Sequence, residues 1–389
     1  MKKKHLIGIV ALILVVSMLP VLMFLSWLVK PKKELKVAIV DKTVLTAQGN
    51  EHESFNWILM HEKYCKPNRD LYSMSEDYYG FFPKDKWQYL VKDFQKYDDS
   101  ALNNFADRTD MIYFTDTYGI FNKDWFSSNA RGEYSKLMYG GMTLNDLKLL
   151  ELMKQKHKLI LTEFNDIATP TSRSVRSMFE DMFGVQWTGW TGRYFFSLDT
   201  TVNKEIPVWV TRDYKYQHNN QWPFKKSGIV LVNDKGKVEI LEYKKDLTEE
   251  VPYIISNDLN QSRFQIPRKI KYSYWFDVML TRQTNNVVSV YRIFANARGD
   301  SILKSINIPN PFPAVIEHYD NDYKFYYFCG DFCDNPIDSF LAKFEGITKF
   351  RWFMYPSNDA AERKSFFWLY YEPLVSNILR NFYNTLPEK

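Results

Sequence analysis

The spacing of apolar and polar positions divides the chain into three textures. The first is a single run, Leu6 to Val29, reading LIGIVALILVVSMLPVLMFLSWLV with no charged residue. As a helix it would span about 36 Å, enough for a ~30 Å hydrocarbon core with some tilt. A cleaved signal peptide would have a shorter apolar region ending in small residues, and Ser26-Trp27-Leu28 is no such site. The expectation is therefore one N-terminal transmembrane helix over 6–29, with residues 1–35 forming an anchor and its flanks.

The second texture alternates short buried-strand patterns with helical ones. Lys36–Asp41, Thr109–Asp116 and His157–Glu163 are short apolar runs that end in an acid. Between them, Phe55–Tyr64 and Lys86–Tyr97 have helical spacing, and Thr143-Leu-Asn-Asp146 is a capping box opening a helix over Leu144–Gln155. Thr169-Pro170 opens another helix that runs to about Phe183. This order predicts an α/β fold with a mainly parallel sheet and flanking helices.

From about 200 to 312 the pattern turns β-rich. Ile229–Val232, Val238–Tyr243, Tyr272–Leu280 and Val287–Phe294 read as strands, and Asp234-Lys-Gly236 as a hairpin turn. Phe312–Glu317 and Tyr323–Phe328 then read as a β pair returning to the sheet, and Phe366–Asn381 as a terminal helix interrupted near Pro373. The domains expected are thus 1–35, a core of 36–199 with 313–389, and a β-rich insertion at 200–312. A (β/α)8 barrel would also place acids at strand ends, but the stretch 229–294 fits a barrel poorly.

Charge sharpens this division. The whole chain carries 51 basic and 46 acidic residues, but seven Lys and one Glu fall within residues 1–36. The remaining 44 basic and 45 acidic residues leave a body of net charge −1, with no general attraction for nucleic acid. Lys2, Lys3 and Lys4 favour a cytoplasmic N-terminus while Lys30, Lys32, Lys33 and Lys36 oppose it. The short basic start resembles an export signal-anchor, so the body is expected outside the cytoplasm at the cell membrane. Three Cys rule out a disulfide scaffold; Cys329 and Cys333 either pair across a turn or remain two buried thiols.

The stretch YGGMTLNDLKLLELMKQKHKLILTE is similar to the Gly-Gly-x-Thr helix and following strand of class I glutamine amidotransferase-like (flavodoxin-like) folds. ThuA-like proteins and the trimerisation domain of large β-galactosidases share that plan. In several of them a late Pro-Ala-Val strand precedes a strand closing in Gly, much as Pro313-Ala-Val-Ile316 precedes Tyr326-Tyr-Phe-Cys-Gly330. The resemblance covers 36–199 and 313–335, about half the chain. It lacks the amidotransferase nucleophile: there is no Gly-x-Cys-x-Gly elbow, and the third strand ends in Glu163-Phe-Asn165. Glutamine hydrolysis is not implied, and fold alone does not carry function.

The candidate chemistry is positional. Asp41, Asp116, Glu163 and Asp331 each end a strand pattern, and in open parallel sheets ligands bind beyond the carboxyl ends of strands. Such carboxylates can act as acid and base or nucleophile in glycoside hydrolysis, or hold a hard cation. An acid after a strand also commonly caps the next turn. Asn165, Arg173 and Arg193 are candidates for orienting substrate, and Trp187-Thr-Gly-Trp190-Thr-Gly-Arg193-Tyr194 reads as a loop whose rings either stack on sugars or plug the core. Dinucleotide, Walker A, serine-elbow and His-Glu-x-x-His motifs are absent, and the six His lack zinc-like spacing. No cofactor and no metal site is assigned. These features suggest a membrane-anchored protein acting on or binding cell-envelope carbohydrate, with a carboxylate-dependent glycan hydrolase as its sharpest form. The alternative is a non-catalytic scaffold holding other envelope proteins.

Overall fold

The computed structural model describes residues 17–46, 50–84, 87–126, 135–356 and 358–387. Ten strands form one sheet. In spatial order they are Lys269–Lys271, Tyr253–Ser256, Asn286–Arg292, Phe312–Tyr319, Lys324–Phe328, Leu159–Glu163, Met111–Asp116, Val37–Asp41, Tyr79–Pro83 and Tyr89–Lys92. The strands from Lys324–Phe328 to Tyr79–Pro83 pair in parallel, and every other pairing is antiparallel. The expected mainly parallel sheet is therefore corrected to a mixed one. The short connections between Tyr79–Pro83 and Tyr89–Lys92 and between Phe312–Tyr319 and Lys324–Phe328 make antiparallel hairpins, while the parallel neighbours are joined by longer crossovers.

The β-rich region divides between two sheets. Gly228–Asn233, Val238–Glu242 and Phe276–Thr281 join Val185–Phe195 in a four-stranded antiparallel sheet. Tyr253–Ser256, Lys269–Lys271 and Asn286–Arg292 instead extend the main sheet. The late pair Phe312–Tyr319 and Lys324–Phe328 lies in the same sheet as Val37–Asp41.

The expected transmembrane helix is also corrected. Among the described residues no helix is long and apolar enough to cross a membrane. Of the span 6–29, only 17–29 is described; it is helical, and Leu6–Val16 lies outside the described residues. Thirteen helical residues reach about 20 Å, short of a ~30 Å core. The end of this helix docks on the body. Trp27 is buried and its indole N–H donates to the Met60 carbonyl at 3.2 Å, with the Lys63 ammonium over its ring at 3.5 Å.

Helices flank the main sheet for local reasons. Thr143 and Asp146 complete the capping box of Leu144–Gln155. The Arg173–Phe183 helix begins at a Ser172 cap and stops at Gly184, whose φ of 64° admits the left-handed turn. Near the C-terminus, a wide turn over Phe367–Tyr371 leads into Glu372–Tyr383 with Pro373 in its first turn, where the missing N–H costs nothing. The helical spacing read over Lys86–Tyr97 is not realised. Tyr89–Lys92 is an edge strand pairing with Tyr79–Pro83, as its Tyr-Leu-Val content favours, and residues 85–86 lie outside the described residues. The helix comes later, at Asp99–Asp107, capped by the Asp98 carboxylate on the Ala101 N–H at 2.7 Å.

Phe325, on the returning strand, is fully buried and stacks on Phe183 of the Arg173–Phe183 helix with centroids 4.2 Å apart. Phe325→Ala should cost about 3–5 kcal/mol in urea denaturation, the usual loss for a buried aromatic. Tyr216→Ala, at a position 93% exposed, should change stability by less than about 0.5 kcal/mol. Equal effects from the two variants would show that the returning strand is not part of the core.

Candidate functional site

The parallel register brings the strand-end acids to one edge. Lys324–Phe328, Leu159–Glu163, Met111–Asp116 and Val37–Asp41 are consecutive neighbours, with Glu163 opposite Phe328 and Asp41 opposite Asp116. Asp331 follows the first of these by three residues. Two glycines permit the close packing there. A Cβ at Gly80, where φ is 154°, would fall 1.6 Å from the Asp41 carbonyl oxygen, and one at Gly330 would fall 2.3 Å from the Tyr291 hydroxyl.

The acids at this edge do different things. Asp41 is fully buried, bonded to His52 Nδ1 at 2.6 Å and to the Thr43 N–H at 3.0 Å. His52 Nε2 faces the Met74 carbonyl at 2.8 Å, and a carbonyl only accepts, so that nitrogen carries a proton. Glu163 is likewise fully buried; it accepts from the Tyr113 hydroxyl and from the Cys333 N–H at 3.2 Å. Burial, then the charge of Asp331, holds its carboxyl well above the usual range. These two acids tie loops to the sheet.

Asp116 and Asp331 retain slight exposure, 5% and 8%. One Asp116 oxygen accepts from Thr43 Oγ1 at 2.7 Å and from the Tyr118 N–H, while the other meets only Asn165 Nδ2 at 3.4 Å. Burial foremost, with the nearby charge of Asp41, pushes Asp116 up to about 7. Asp331 belongs to a group of three: carboxylate oxygens of Glu51, Asp331 and Asp334 lie within 4.8 Å of one another. Burial and the neighbouring acids push both Glu51 and Asp331 well above the usual range. Like charges at this separation cannot all persist, so protons stay on the group. Arg363 grips Asp334 through both terminal nitrogens at 3.3 and 3.4 Å and lies 3.6 Å over the Tyr274 ring. Three carboxylates of this kind suit a hard cation by donor type, although the guanidinium already occupies Asp334.

Beside this triad lies a cavity of 530 Å3 that shares Arg363 with it. Arg193, Phe195, Phe196, Ser273 and Tyr274 also line it. Arg193 is held by Glu205 and lies 4.9 Å over the Tyr274 ring and 5.5 Å over that of Trp275. Tyr194 reaches the wall too, its hydroxyl donating to Glu250 at 2.8 Å.

The remaining sequence candidates lie elsewhere. The Trp-Gly segment is the strand Val185–Phe195 rather than a loop, and both rings are core: Trp187 is 8% and Trp190 6% exposed, with the Trp187 indole N–H bonded to the Trp190 carbonyl at 3.0 Å. Arg173 is exposed in the first turn of its helix and does not line the cavity. All three cysteines are buried, Cys329 and Cys333 form no disulfide, and burial pushes both of those thiols up, so neither is a poised nucleophile. Sequence reasoning missed Glu51, Asp334, Tyr274 and Arg363. The spacing Asp331-Phe-Cys-Asp334 could have flagged one of them; the others are brought in by the fold. It also missed Asp277, a buried carboxyl bonded to Thr191 Oγ1 at 2.8 Å and pushed up to about 7, chiefly by burial.

No protein-family model matches the chain, and no curated protein matches it. Among solved structures, a ThuA-like protein from Bacteroides uniformis ATCC 8492 is 10% identical, with 86% of this chain and 96% of that one covered at a TM-score of 0.36. A ThuA-like protein from Parabacteroides merdae ATCC 43184 is 9% identical, covering 77% and 79% at 0.35. Both carry the ThuA-like description that the sequence resemblance also names. An exo-β-1,4-mannosidase from Opitutaceae bacterium strain TAV5 is 8% identical at 0.32, and the carbohydrate deacetylase Agd3 is 7% identical at 0.26. The match covers 88% and 77% of this chain but only 36% and 30% of those two. At such scores the likeness carries no argument about activity.

Asp116 gives a test by pH. Its folded value of about 7 lies above the unfolded one, so the folded chain binds the extra proton and stability falls as pH rises toward 7. Thermal unfolding of wild type and Asp116→Asn between pH 5 and 8 should show the variant gaining relative stability as pH rises, with the gain levelling off above about 7. A difference independent of pH would mean that the carboxyl is not perturbed.

Proposed function

We propose that the protein binds a neutral carbohydrate in the 530 Å3 cavity and hydrolyses a glycosidic bond with the carboxyl triad that Arg363 links to its wall. The observation that carries this reading is the shared Arg363, which belongs at once to the cavity wall and to Asp334. The aromatic faces of Tyr274 and Phe195 suit the apolar faces of a sugar ring, while Arg193 and Ser273 can bond its hydroxyls. The triad contains the two carboxyl groups such a reaction needs. Asp331, raised well above the usual carboxylate range first by burial, is the group suited to donate a proton to the leaving oxygen, and Asp334, bonded to Arg363, is the second carboxyl. Oxygens within 4.8 Å are nearer the ~5–5.5 Å of retaining glycosidases than the ~6.5–9.5 Å of inverting ones. The mannosidase and deacetylase named above act on carbohydrate; that is a fact about those proteins, and the reading does not depend on it.

A second reading has its own support. Asp41 and Glu163 are fully buried in internal bonds, as expected of a non-catalytic scaffold that holds other envelope proteins.

A screen of neutral oligosaccharides by calorimetry and product analysis distinguishes the two. The first reading expects saturable binding, weakened by Arg193→Ala, and hydrolysis lowered about 100-fold or more by Asp331→Asn and Asp334→Asn. The melting temperature of both amide variants should stay close to that of wild type. If wild type neither binds nor cleaves any oligosaccharide, the scaffold reading takes its place.

A further inference from the structure

Another cavity, of 540 Å3, lies beside the Val37–Asp41 strand, reaching from Lys36 at its amino end to Tyr79, which pairs with Val40. Lys36 and Val37 at the start of Val37–Asp41, the last turn of the Asp99–Asp107 helix, and Tyr79 and Lys92 from the edge strands enclose it. Its wall carries Lys36, Lys66, Lys92 and Arg108 against one acid, Asp77. Lys66 and Asp77 satisfy each other, the ammonium meeting both carboxylate oxygens at 3.0 and 2.9 Å. That leaves Lys36, Lys92 and Arg108 with no ion pair among the described residues. Two of them, Lys92 and Arg108, belong to residues 37–389, whose net charge is −1, and Lys36 directly precedes that stretch.

The rest of the wall carries the rings of Tyr72, Tyr79, Tyr97 and Phe105 beside polar Asn104 and Thr109. Tyr79 and Phe105 meet edge to face with centroids 5.3 Å apart, Tyr79 stacks on Phe94 at 4.7 Å, and the Lys92 ammonium lies 4.4 Å over the Tyr79 ring. The volume falls within the ~300–1,000 Å3 of small-molecule sites, far more than a bare anion fills. Two features act against an anion: the carbonyl end of the Asp99–Asp107 helix, and the Asp110 carboxylate that accepts the Lys36 N–H at 3.0 Å. Together they are outnumbered by the three cations. A long polyanion is disfavoured, since the body has no field to attract one and the cations are gathered in a single cavity.

We propose that this cavity binds a small organic phosphate whose flat ring packs on the aromatic wall while its phosphates meet Lys36, Lys92 and Arg108, as a nucleoside diphosphate would. The site is distinct from the carboxyl-edge chemistry in its side chains, since none of Asp41, Asp116, Glu163 and Asp331 lines it.

Calorimetric titration of the full chain with uridine diphosphate should give saturable one-to-one binding that weakens with added salt. Lys92 and Arg108 are exposed, so the double variant Lys92→Gln with Arg108→Gln should keep the wild-type melting temperature and bind at least about tenfold more weakly. Inorganic phosphate should bind at least about tenfold more weakly than uridine diphosphate, because it cannot use the aromatic wall. Absence of saturable binding, or equal binding by the folded double variant, would overturn the site. Equal affinity for inorganic phosphate would overturn the ring-bearing ligand.

Discussion

The structure depends on how carboxyl groups are kept at the buried carboxyl edge of the sheet. An isolated carboxylate moved from water into a protein interior costs several kcal/mol, so each must gain a partner or keep a proton. All of these solutions appear within a few residues of one another. Asp41 is bonded to His52 at 2.6 Å, Asp146 to Lys42 at 2.5 Å and Asp334 to Arg363 at 3.3 Å. Asp116 and Glu163 draw on hydroxyl and backbone donors. Glu51, Asp331 and Asp166 are pushed well above the usual carboxylate range, first by burial, which favours their protonated forms. A proton held this way is the kind that general acid catalysis requires, and it follows from the same desolvation that threatens the fold.

The aromatic richness of the chain supplies the donors. With 26 Tyr, the core contains hydroxyls where an aliphatic core would have none. Tyr113 bonds Glu163, and its hydroxyl lies 3.3 Å from that of Tyr371, which in turn donates to the Cys333 sulfur at 3.3 Å. Tyr326 donates to Glu317 at 2.5 Å, beside the bidentate Arg263 at 2.6 and 2.7 Å. These rings bury apolar area and satisfy a buried carboxyl with the same side chain, which lets acids sit between packed strands.

The parts legible in the sequence were those with local causes. The capping box at Thr143–Asp146 and the strands ending in Asp41, Asp116 and Glu163 follow from residues adjacent in the chain. Convergence of those acids on one edge followed from the parallel order of their strands. What local pattern could not show was which acid is consumed by a distant partner: Glu163 meets Cys333 and Asp334 meets Arg363 only after the late segments return to the sheet. The Trp187–Tyr194 stretch misled for a related reason. Its glycines suggested a loop, but Gly192 is needed because a Cβ there would fall 2.3 Å from the Phe276 ring of the neighbouring strand. A strand glycine that admits a close neighbour looks, in sequence, like a turn. The long apolar run at 6–29 suggested a spanning helix, yet the described part ends in contacts made by Trp27 with the body, which hydropathy does not see.

The carboxyl edge and the basic cavity beside Val37–Asp41 differ in sign, and that difference constrains what each can accept. At the carboxyl edge, the acids already raise one another: Asp41 acts on Asp116, Asp116 on Asp331, and Asp331 on Glu163. An anionic ligand entering there would add to a repulsion that Arg363 relieves at Asp331 while already engaged with Asp334. An uncharged polyol adds no charge and offers hydroxyls to groups with lone pairs and protons to share. At the basic cavity the imbalance runs the other way, with Lys36, Lys92 and Arg108 free of ion pairs among the described residues. None of the strand-end acids lines that cavity, and among the described residues none of its three cations is bonded to those acids, so each imbalance rests on its own set of side chains.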